Sequence, residues 1–397
     1  MYYVGVKCDN SSIIVCDTLT RRIVKISDVD ASGFNNDCLL FSSDIDKLLG
    51  DKYNEDFQAD RRGLLERRFA SIRESRVLNL TIAFSKKCNL ACKYCYEQHD
   101  ELGNHTIVID TLCKFIIAYV KEHSMKQVHL ELYGGEPLLH KAEIRSLLHF
   151  LELQHINFSL SMMTNGTLYD ESFYSELIKS GLQKVEISVD GPERIHNFQR
   201  PMKNNQNCFK EIINTIELIC NKVPVVIRVN TGRNNIDYII SLLEEFVRLD
   251  IHNKISIYFT PIINSPQAFS TKEEFSKIGQ CYLEASKLGF NIPMRIYATG
   301  PCYLYENHSF AVLPDNSIRK CIAIPETIVG DTISGQLSPV SYQSVKKECY
   351  NCDLYPICFG GCQYGSGMCH PCPEKLFEGL LPGFLLGKEI AYERQKN

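Results

Sequence analysis

At 397 residues, with 44% hydrophobic and 23% charged residues, the chain has a globular composition and exceeds one ordinary domain. Its 43 basic and 47 acidic residues leave a net charge of −4, which excludes a general pull toward nucleic acid. No apolar run reaches the roughly 18 residues of a membrane span, and the start MYYVGVKCDN lacks a basic stretch followed by an apolar one, so no membrane, no signal peptide and a cytoplasmic location are expected.

In chain order, MYYVGVKC, SSIIVCDT and RRIVKISDV read as three short strands, and SSDIDKLLG and RRGLLERRFASIRES as helices. From Leu78 the pattern changes. The runs LNLTIAF, VHLELYG, FSLSMMT, KVEISVD, VVIRVN and ISIYFT are short and partly β-branched, as buried parallel strands are. Between them lie amphipathic stretches such as TLCKFIIAYVKEH, AEIRSLLHFLEL, ESFYSELIKSG and IDYIISLLEEFVRL, which read as helices, with Gly181 as a helix stop. Six βα units predict an α/β fold: a parallel sheet with right-handed crossovers, closed or partly closed as a barrel, with its chemistry at the C-terminal strand ends.

The special residues fall at those ends. KKCNLACKYCYEQ follows the first strand, GGEP the second, TNGT the third, DGPERIHNFQR the fourth and TGRNN the fifth. From Gly300 to Pro373 cysteine, glycine and proline are dense and helical periodicity is poor, so metal rather than an apolar core is expected to hold that segment. Four segments follow: 1–75, an α+β module; 76–299, the barrel; 300–373, cysteine-rich; and 374–397, a tail.

Of the 18 cysteines, three lie at 88–95 and eight between 302 and 372; the other seven are scattered and read as small buried hydrophobes. In a reducing compartment, clustered cysteines bind metal or do redox chemistry. Cys88, Cys92 and Cys95 are one ligand short of a structural zinc site, and His99 is badly placed to complete it. Three thiolates suit a cubane iron–sulfur cluster with one iron open. The spacing Cys349, Cys352, Cys358, Cys362 in CYNCDLYPICFGGC leaves a zinc ribbon open as a rival.

CNLACKYCYE after the first barrel strand, with GGEP after the second, resembles the radical S-adenosylmethionine (SAM) enzymes, especially the branch that modifies peptides and proteins. The resemblance implies a partial (β/α)6 TIM-like barrel. It implies a 4Fe–4S cluster on Cys88, Cys92 and Cys95 whose open iron chelates SAM, and a 5′-deoxyadenosyl radical as the hydrogen-abstracting species. Gly134, Gly135, Glu136 and Pro137 match the loop at the SAM amino group. Tyr94 matches the position whose backbone meets the adenine, and Ser188 and Asp190 the positions near the ribose and methionine ends. Arg200 is a candidate partner for a carboxylate, with a surface arginine as the alternative. Asn165 and His196 match family positions or order their loops.

The tail resembles the SPASM extension, which carries two auxiliary 4Fe–4S clusters. By position, Cys302, Cys321 and Cys362 match the first, with a fourth ligand open: His308 or none. Cys349, Cys352 and Cys358 match the second, completed by Cys369 or, preferably, Cys372. The family's usual glycine five residues before Cys321 is Asn316 here, and asparagine also tolerates a left-handed turn. Sulfatase-maturating relatives carry an aspartate after that cysteine; Ile322 stands there, which argues against formylglycine formation and moves the base elsewhere, to Asp315, Glu326 or Glu186.

The expected function is therefore a maturase of a ribosomally made precursor peptide. It would install an oxidative crosslink (a C–C cyclophane, an ether or a thioether), drawing electrons from a flavodoxin or ferredoxin. Residues 1–75 are a candidate leader-binding module. The alternatives are an oxidoreductase or epimerase on a peptide or small molecule, and a zinc-stapled binding protein.

Overall fold

The structure is a computed structural model and describes residues 2–35, 38–49, 61–99, 105–293, 304, 306–338, 347–358, 360–361 and 372–396. Its strands are β1 (Tyr3–Asp9), β2 (Ser12–Asp17), β3 (Ile23–Ser27), β4 (Leu39–Phe41), β5 (Val77–Ala83), β6 (Gln127–Tyr133), β7 (Phe158–Thr164), β8 (Leu182–Ser188), β9 (Val225–Thr231), β10 (Ile255–Pro261), β11 (Ser309–Val312), β12 (Ser317–Arg319) and β13 (Ile328–Asp331). Its helices are α1 (Ser42–Leu49), α2 (Arg61–Arg73), α3 (Ile109–Glu122), α4 (Lys141–Leu153), α5 (Glu171–Lys179), α6 (Glu193–Gln199), α7 (Phe209–Ile219), α8 (Ile239–Arg248), α9 (Lys272–Lys287), α10 (Tyr355–Cys358) and α11 (Glu374–Lys396).

The chain divides into two compact units. One comprises Ser71–Arg228 and Tyr303–Tyr342. In it β5, β6, β7, β8 and the start of β9 pair in parallel in that order. All six strands expected from sequence are present. Alternation sets the two faces of this sheet. Val128, Leu130, Leu132, Leu160, Met162, Val185 and Ile187 are buried, and they alternate with His129, Glu131, Tyr133, Ser161, Met163, Lys184 and Glu186 on the inner face. Gly181 stops α5 at φ +96°, where L-residues are strained.

Part of the cysteine-rich segment departs from expectation. Residues 309–331 form β11, β12 and β13, and β11 pairs in parallel with β5 from Ser309↔Asn79 to Val312↔Ile82. Strands of three or four residues are too short to show alternation in sequence. The turn from β11 to β12 holds Asn316 at φ +67°, the left-handed conformation expected for the residue standing where relatives have glycine. Its Oδ1 also accepts the Val108 N–H at 2.9 Å, at the start of α3.

The other unit comprises Met1–Ala70, Val229–Cys302 and Gln343–Asn397. Its antiparallel sheet has the order β3–β2–β1–β4 and packs Tyr3, Ile13, Val15, Ile26 and Leu40 against Ile45 and Leu49 of α1. The stretch taken from sequence as a tail is the 23-residue α11. It crosses α9 at glycines: a Cβ on Gly383 would land on the Gly279 backbone. Among the described residues no helix is long and apolar enough to cross a membrane.

Candidate functional site

The loop after β5 carries Cys88, Cys92 and Cys95, and backbone bonds fix it on two sides. Toward the β6 end, Gly135 N–H donates to Ser85 O at 3.0 Å and Glu136 N–H to Lys87 O at 2.9 Å. A Cβ on Gly135 would fall on the Lys87 carbonyl, and Gly134 sits at φ +112° against Ser85, so both positions require glycine. Toward the segment after α6, Ala91 N–H donates to Pro201 O at 2.8 Å, Lys93 N–H to Gln199 O at 3.0 Å and Lys203 N–H to Asn89 O at 2.9 Å. The GGEP loop after β6 and the segment after β8 and α6 thus converge on the cysteine loop.

The thiols are half-buried to buried. Burial pushes Cys88 up, and it pushes Cys92 up to about 12, with Cys95 and Cys88 adding to the rise and Arg200 opposing it. Three soft donors within eight residues of one loop are the donor set an iron–sulfur cluster takes. Sulfur also receives hydrogen bonds: Leu90 N–H reaches Cys88 Sγ at 3.4 Å and Asn165 Nδ2 reaches it at 3.7 Å. Among the described residues no three His, Cys, Asp or Glu side chains converge on a single ion position. A cubane asks for a different spacing, since each cysteine binds its own iron.

Glu136 is buried, and its carboxylate closes the joint between two loops. Oε1 accepts from Thr164 Oγ1 at 2.7 Å and Leu138 N–H at 3.0 Å, and Oε2 accepts from Asn165 N–H at 2.8 Å. Asn165 in turn donates to Asn89 Oδ1 at 2.8 Å. Glu136 and Asn165 therefore order this side of the site.

Asp190 and Arg200 meet behind the loop. Tyr94 donates its hydroxyl to Asp190 Oδ2, Arg200 Nη1 donates to the Tyr94 hydroxyl at 2.6 Å, and Arg200 Nη1 lies 3.7 Å from Asp190 Oδ2. Asp190 is fully buried and Arg200 nearly so, which answers the surface-arginine alternative. His196 is buried as well. Burial, reinforced by the Arg200 charge, holds its imidazole well below the ordinary range, and Nδ1 faces the Asp190 N–H at 3.2 Å. Ser188 closes β8, on its inner face.

In the other unit Cys352 N–H donates to Cys349 O at 3.0 Å, and Cys358 ends α10. Burial pushes Cys358 up to about 12, and Cys352, Cys372 and Cys349 add to the rise. The Asp353 carboxylate, one residue after Cys352, accepts from Ser42 N–H at 2.9 Å and Ser42 Oγ at 2.8 Å, at the start of α1. Cys302, Cys362 and Cys369 lie outside the described residues. Cys321 follows β12, where Thr327 Oγ1 accepts its N–H at 3.1 Å. His308 Nδ1 is hydrogen-bonded to the Tyr119 hydroxyl at 2.8 Å.

The three candidate bases separate. Asp315 closes its own turn, accepting from Ser317 N–H at 3.0 Å, Ser317 Oγ at 2.6 Å and Arg319 Nη2 at 3.4 Å. Glu326 is exposed. Glu186 is buried on the inner face between Lys184 and Arg228. Sequence reasoning passed over Arg228, Met163 and the Tyr96–Tyr133 hydroxyl pair at 2.8 Å. Tyr133, Met163 and Arg228 sit at the alternate positions of otherwise apolar strands, but which of them meet is set by register.

Residues 82–258 match the Radical SAM superfamily, so the chain carries a radical SAM domain. A serine-type anaerobic sulfatase-maturating enzyme of Bacteroides thetaiotaomicron is 27% identical over 190 residues, 44% of each chain, so the match spans under half of that relative's length. Among solved structures, anSMEcpe with bound AdoMet and Kp18Cys peptide superposes with a TM-score of 0.62 at 19% identity, over 81% of this chain and 99% of that one. Streptococcus suis SuiB bound to precursor peptide SuiA gives 0.53 at 15% identity, over 91% and 94%.

Proposed function

We propose that this chain, with its radical SAM domain at residues 82–258, is a maturase that abstracts hydrogen from a ribosomally synthesised precursor peptide and installs an oxidative crosslink. The observation that carries the reading is the three-cysteine loop clamped by backbone hydrogen bonds between the Gly134–Gly135 turn and the segment after α6. Radical SAM enzymes bind SAM and a 4Fe–4S cluster. Here Cys88, Cys92 and Cys95 would hold the cluster, and the Gly134–Pro137 loop, the Tyr94 backbone and Ser188 would face SAM. Bound there, the pair supplies the 5′-deoxyadenosyl radical, which removes a substrate hydrogen.

The protein's own part is positional. Glu136 and Asn165 fix one wall of the loop; Tyr94, Asp190 and Arg200 fix the other. Cys349, Cys352 and Cys358 are assigned to an auxiliary cluster, with Cys372, in preference to Cys369, as the last ligand. Cys302, Cys321 and Cys362 are assigned to a further cluster, and a flavodoxin or ferredoxin to electron supply. Ile322, a hydrocarbon after Cys321, cannot accept a proton as the aspartate of sulfatase-maturating relatives does, so a crosslink is preferred to formylglycine. The peptides named in the two solved neighbours support a peptide substrate.

Two measurements test this. Replacing Cys88, Cys92 and Cys95 together by alanine should abolish reductive SAM cleavage; retained cleavage would sink the site assignment. Co-expression with a precursor peptide encoded beside the gene should give a product about 2 Da lighter, because two hydrogens leave. An unchanged mass with deuterium incorporated at a stereocentre would point to an epimerase instead.

A further inference from the structure

One row of the barrel sheet joins the cysteine loop to a buried acid. Strand register pairs Ala83 with Tyr133, Leu132 with Met162, which sets Tyr133 and Met163 at the next position of their strands, then Met163 with Glu186, and Glu186 with Val226 on the next strand. Tyr133, Met163 and Glu186 all point to the inner face. At one end of the row the Tyr133 hydroxyl is 2.8 Å from that of Tyr96, the residue directly after Cys95. At the other, Arg228 Nη1 lies 3.7 Å from Met163 Sδ and 3.8 Å from Glu186 Oε1. Lys184 Nζ lies 3.8 Å from Oε2. The Glu186 side chain is only 2% exposed, whereas those of Arg228 and Lys184 are 29% and 33% exposed. A carboxylate with a cation beside each oxygen is therefore seated within the barrel, two residues before the end of β8.

We propose that Glu186 is the group that accepts the substrate proton when the crosslink closes, with Arg228 and Lys184 holding its carboxylate in place. The assignment rests on the peptide-crosslinking reading above. In that reaction a C–H bond and a second X–H bond become one C–X bond. One hydrogen leaves as an atom to the 5′-deoxyadenosyl radical. The remaining electron passes to a one-electron acceptor of the iron–sulfur class, and the remaining proton passes to Glu186, which becomes a carboxylic acid. Among the three acids considered, Asp315 is engaged in its own turn and Glu326 faces solvent. Glu186 alone shares a register row with the residue tied to the cysteine loop.

The test uses the full chain with its clusters loaded, SAM, a reductant and the synthetic precursor peptide. The readout is crosslinked peptide formed per 5′-deoxyadenosine released, measured beside iron content and peptide affinity. Glu186→Gln should lower the ratio about a hundredfold, the typical scale of a lost general base, with iron content and affinity near wild type. Glu186→Asp, which keeps a carboxylate, should recover part of the loss. An unchanged ratio in Glu186→Gln would overturn the proposal, as would a matching fall in iron content or peptide affinity, which would make Glu186 structural. If the wild-type enzyme itself produces no lighter peptide, the crosslinking reading fails first and takes this assignment with it.

Discussion

The guanidinium of Arg200 donates to the hydroxyl of Tyr94 at 2.6 Å, and the same hydroxyl donates to Asp190. One tyrosine thus joins the cysteine loop to the end of β8 and to the segment after α6. Asp190 is fully buried, with the Arg200 guanidinium 3.7 Å from its Oδ2. Arg200→Met should cost about 3–5 kcal/mol, because it strands a buried carboxylate. The double variant Asp190→Asn, Arg200→Met should recover a large part of that. Urea unfolding of the two single variants and the double checks it, and strict additivity would show that the pair is uncoupled.

Glu136 offers a second test of the same loop. A glutamine in its place presents an amide N–H₂ where Oε2 now accepts the Asn165 N–H, so two donors face each other in a buried site. Glu136→Gln should lose about 1–3 kcal/mol of stability. Because Asn165 also contacts Cys88 and Asn89, the variant should retain less iron after reconstitution. Thermal melts and an iron assay decide it; wild-type values in both would mean the joint has no part in ordering the loop.

The barrel strands were legible in sequence because buried parallel strands leave short β-branched runs with turn residues after them, and the loops that carry chemistry follow those runs. What escaped had weak local signals. β11, β12 and β13 are three or four residues long, and their place beside β5 is a long-range pairing. In α11, Gly379, Pro382, Gly383 and Gly387 read as breakers, yet the glycines form the face that packs on α9. The site was legible at its cysteines. Arg228 and the Tyr96–Tyr133 pair were not, because their meaning comes from register, which a single sequence does not state.

Asn316 combines two duties that can be separated. It occupies φ +67°, and its side chain holds the Val108 N–H at the start of α3. Asn316→Gly keeps the left-handed turn but removes the Oδ1 acceptor of the Val108 N–H and, at 3.4 Å, of the Thr332 hydroxyl, and should cost about 1 kcal/mol. Asn316→Ala loses the same bonds and adds left-handed strain of about 1–2 kcal/mol. Alanine should therefore melt below glycine, and the reverse order would mean that the strain at this turn is negligible.

The start of α9 gives a pH signature. Glu274 caps Thr271, and its carboxylate is lowered to about 2, first by Arg233 and then by the Ser270 and Thr271 N–H groups. Its folded value lies below the ordinary 4.5, so its stabilisation is fully present above pH 4.5 and is lost as pH falls through about 2. The Glu274 side chain is 24% exposed and that of Arg233 44%, so solvent screens the pair and the effect is modest, about 1 kcal/mol. Glu274→Gln should be less stable than wild type at pH 7 and equal to it near pH 2. A gap that persists at pH 2 would assign the effect to packing rather than charge.

The last prediction concerns residues 1–49, part of the segment 1–75 read from sequence as a candidate leader-binding module. Within their own unit they are fastened to the second cysteine group. Asp353 accepts two hydrogen bonds from Ser42, the Tyr2 hydroxyl donates to Tyr350 O at 2.8 Å, and Thr18 Oγ1 donates to Asp353 O at 2.7 Å. These bonds bracket Cys352, so the N-terminal sheet acts as a base plate for the segment that carries Cys349, Cys352 and Cys358. Asp353→Ala removes the acceptor of both Ser42 donors and should cost about 1.5–3 kcal/mol. Its functional consequence should be selective: less iron bound at Cys349, Cys352, Cys358 and Cys372, with the Cys88–Cys95 group still loaded. Iron counts in Asp353→Ala, compared with Asp353→Ala carrying alanines at Cys88, Cys92 and Cys95, separate the two groups. Full iron at the second group in the single variant would return residues 1–49 to the leader-binding role.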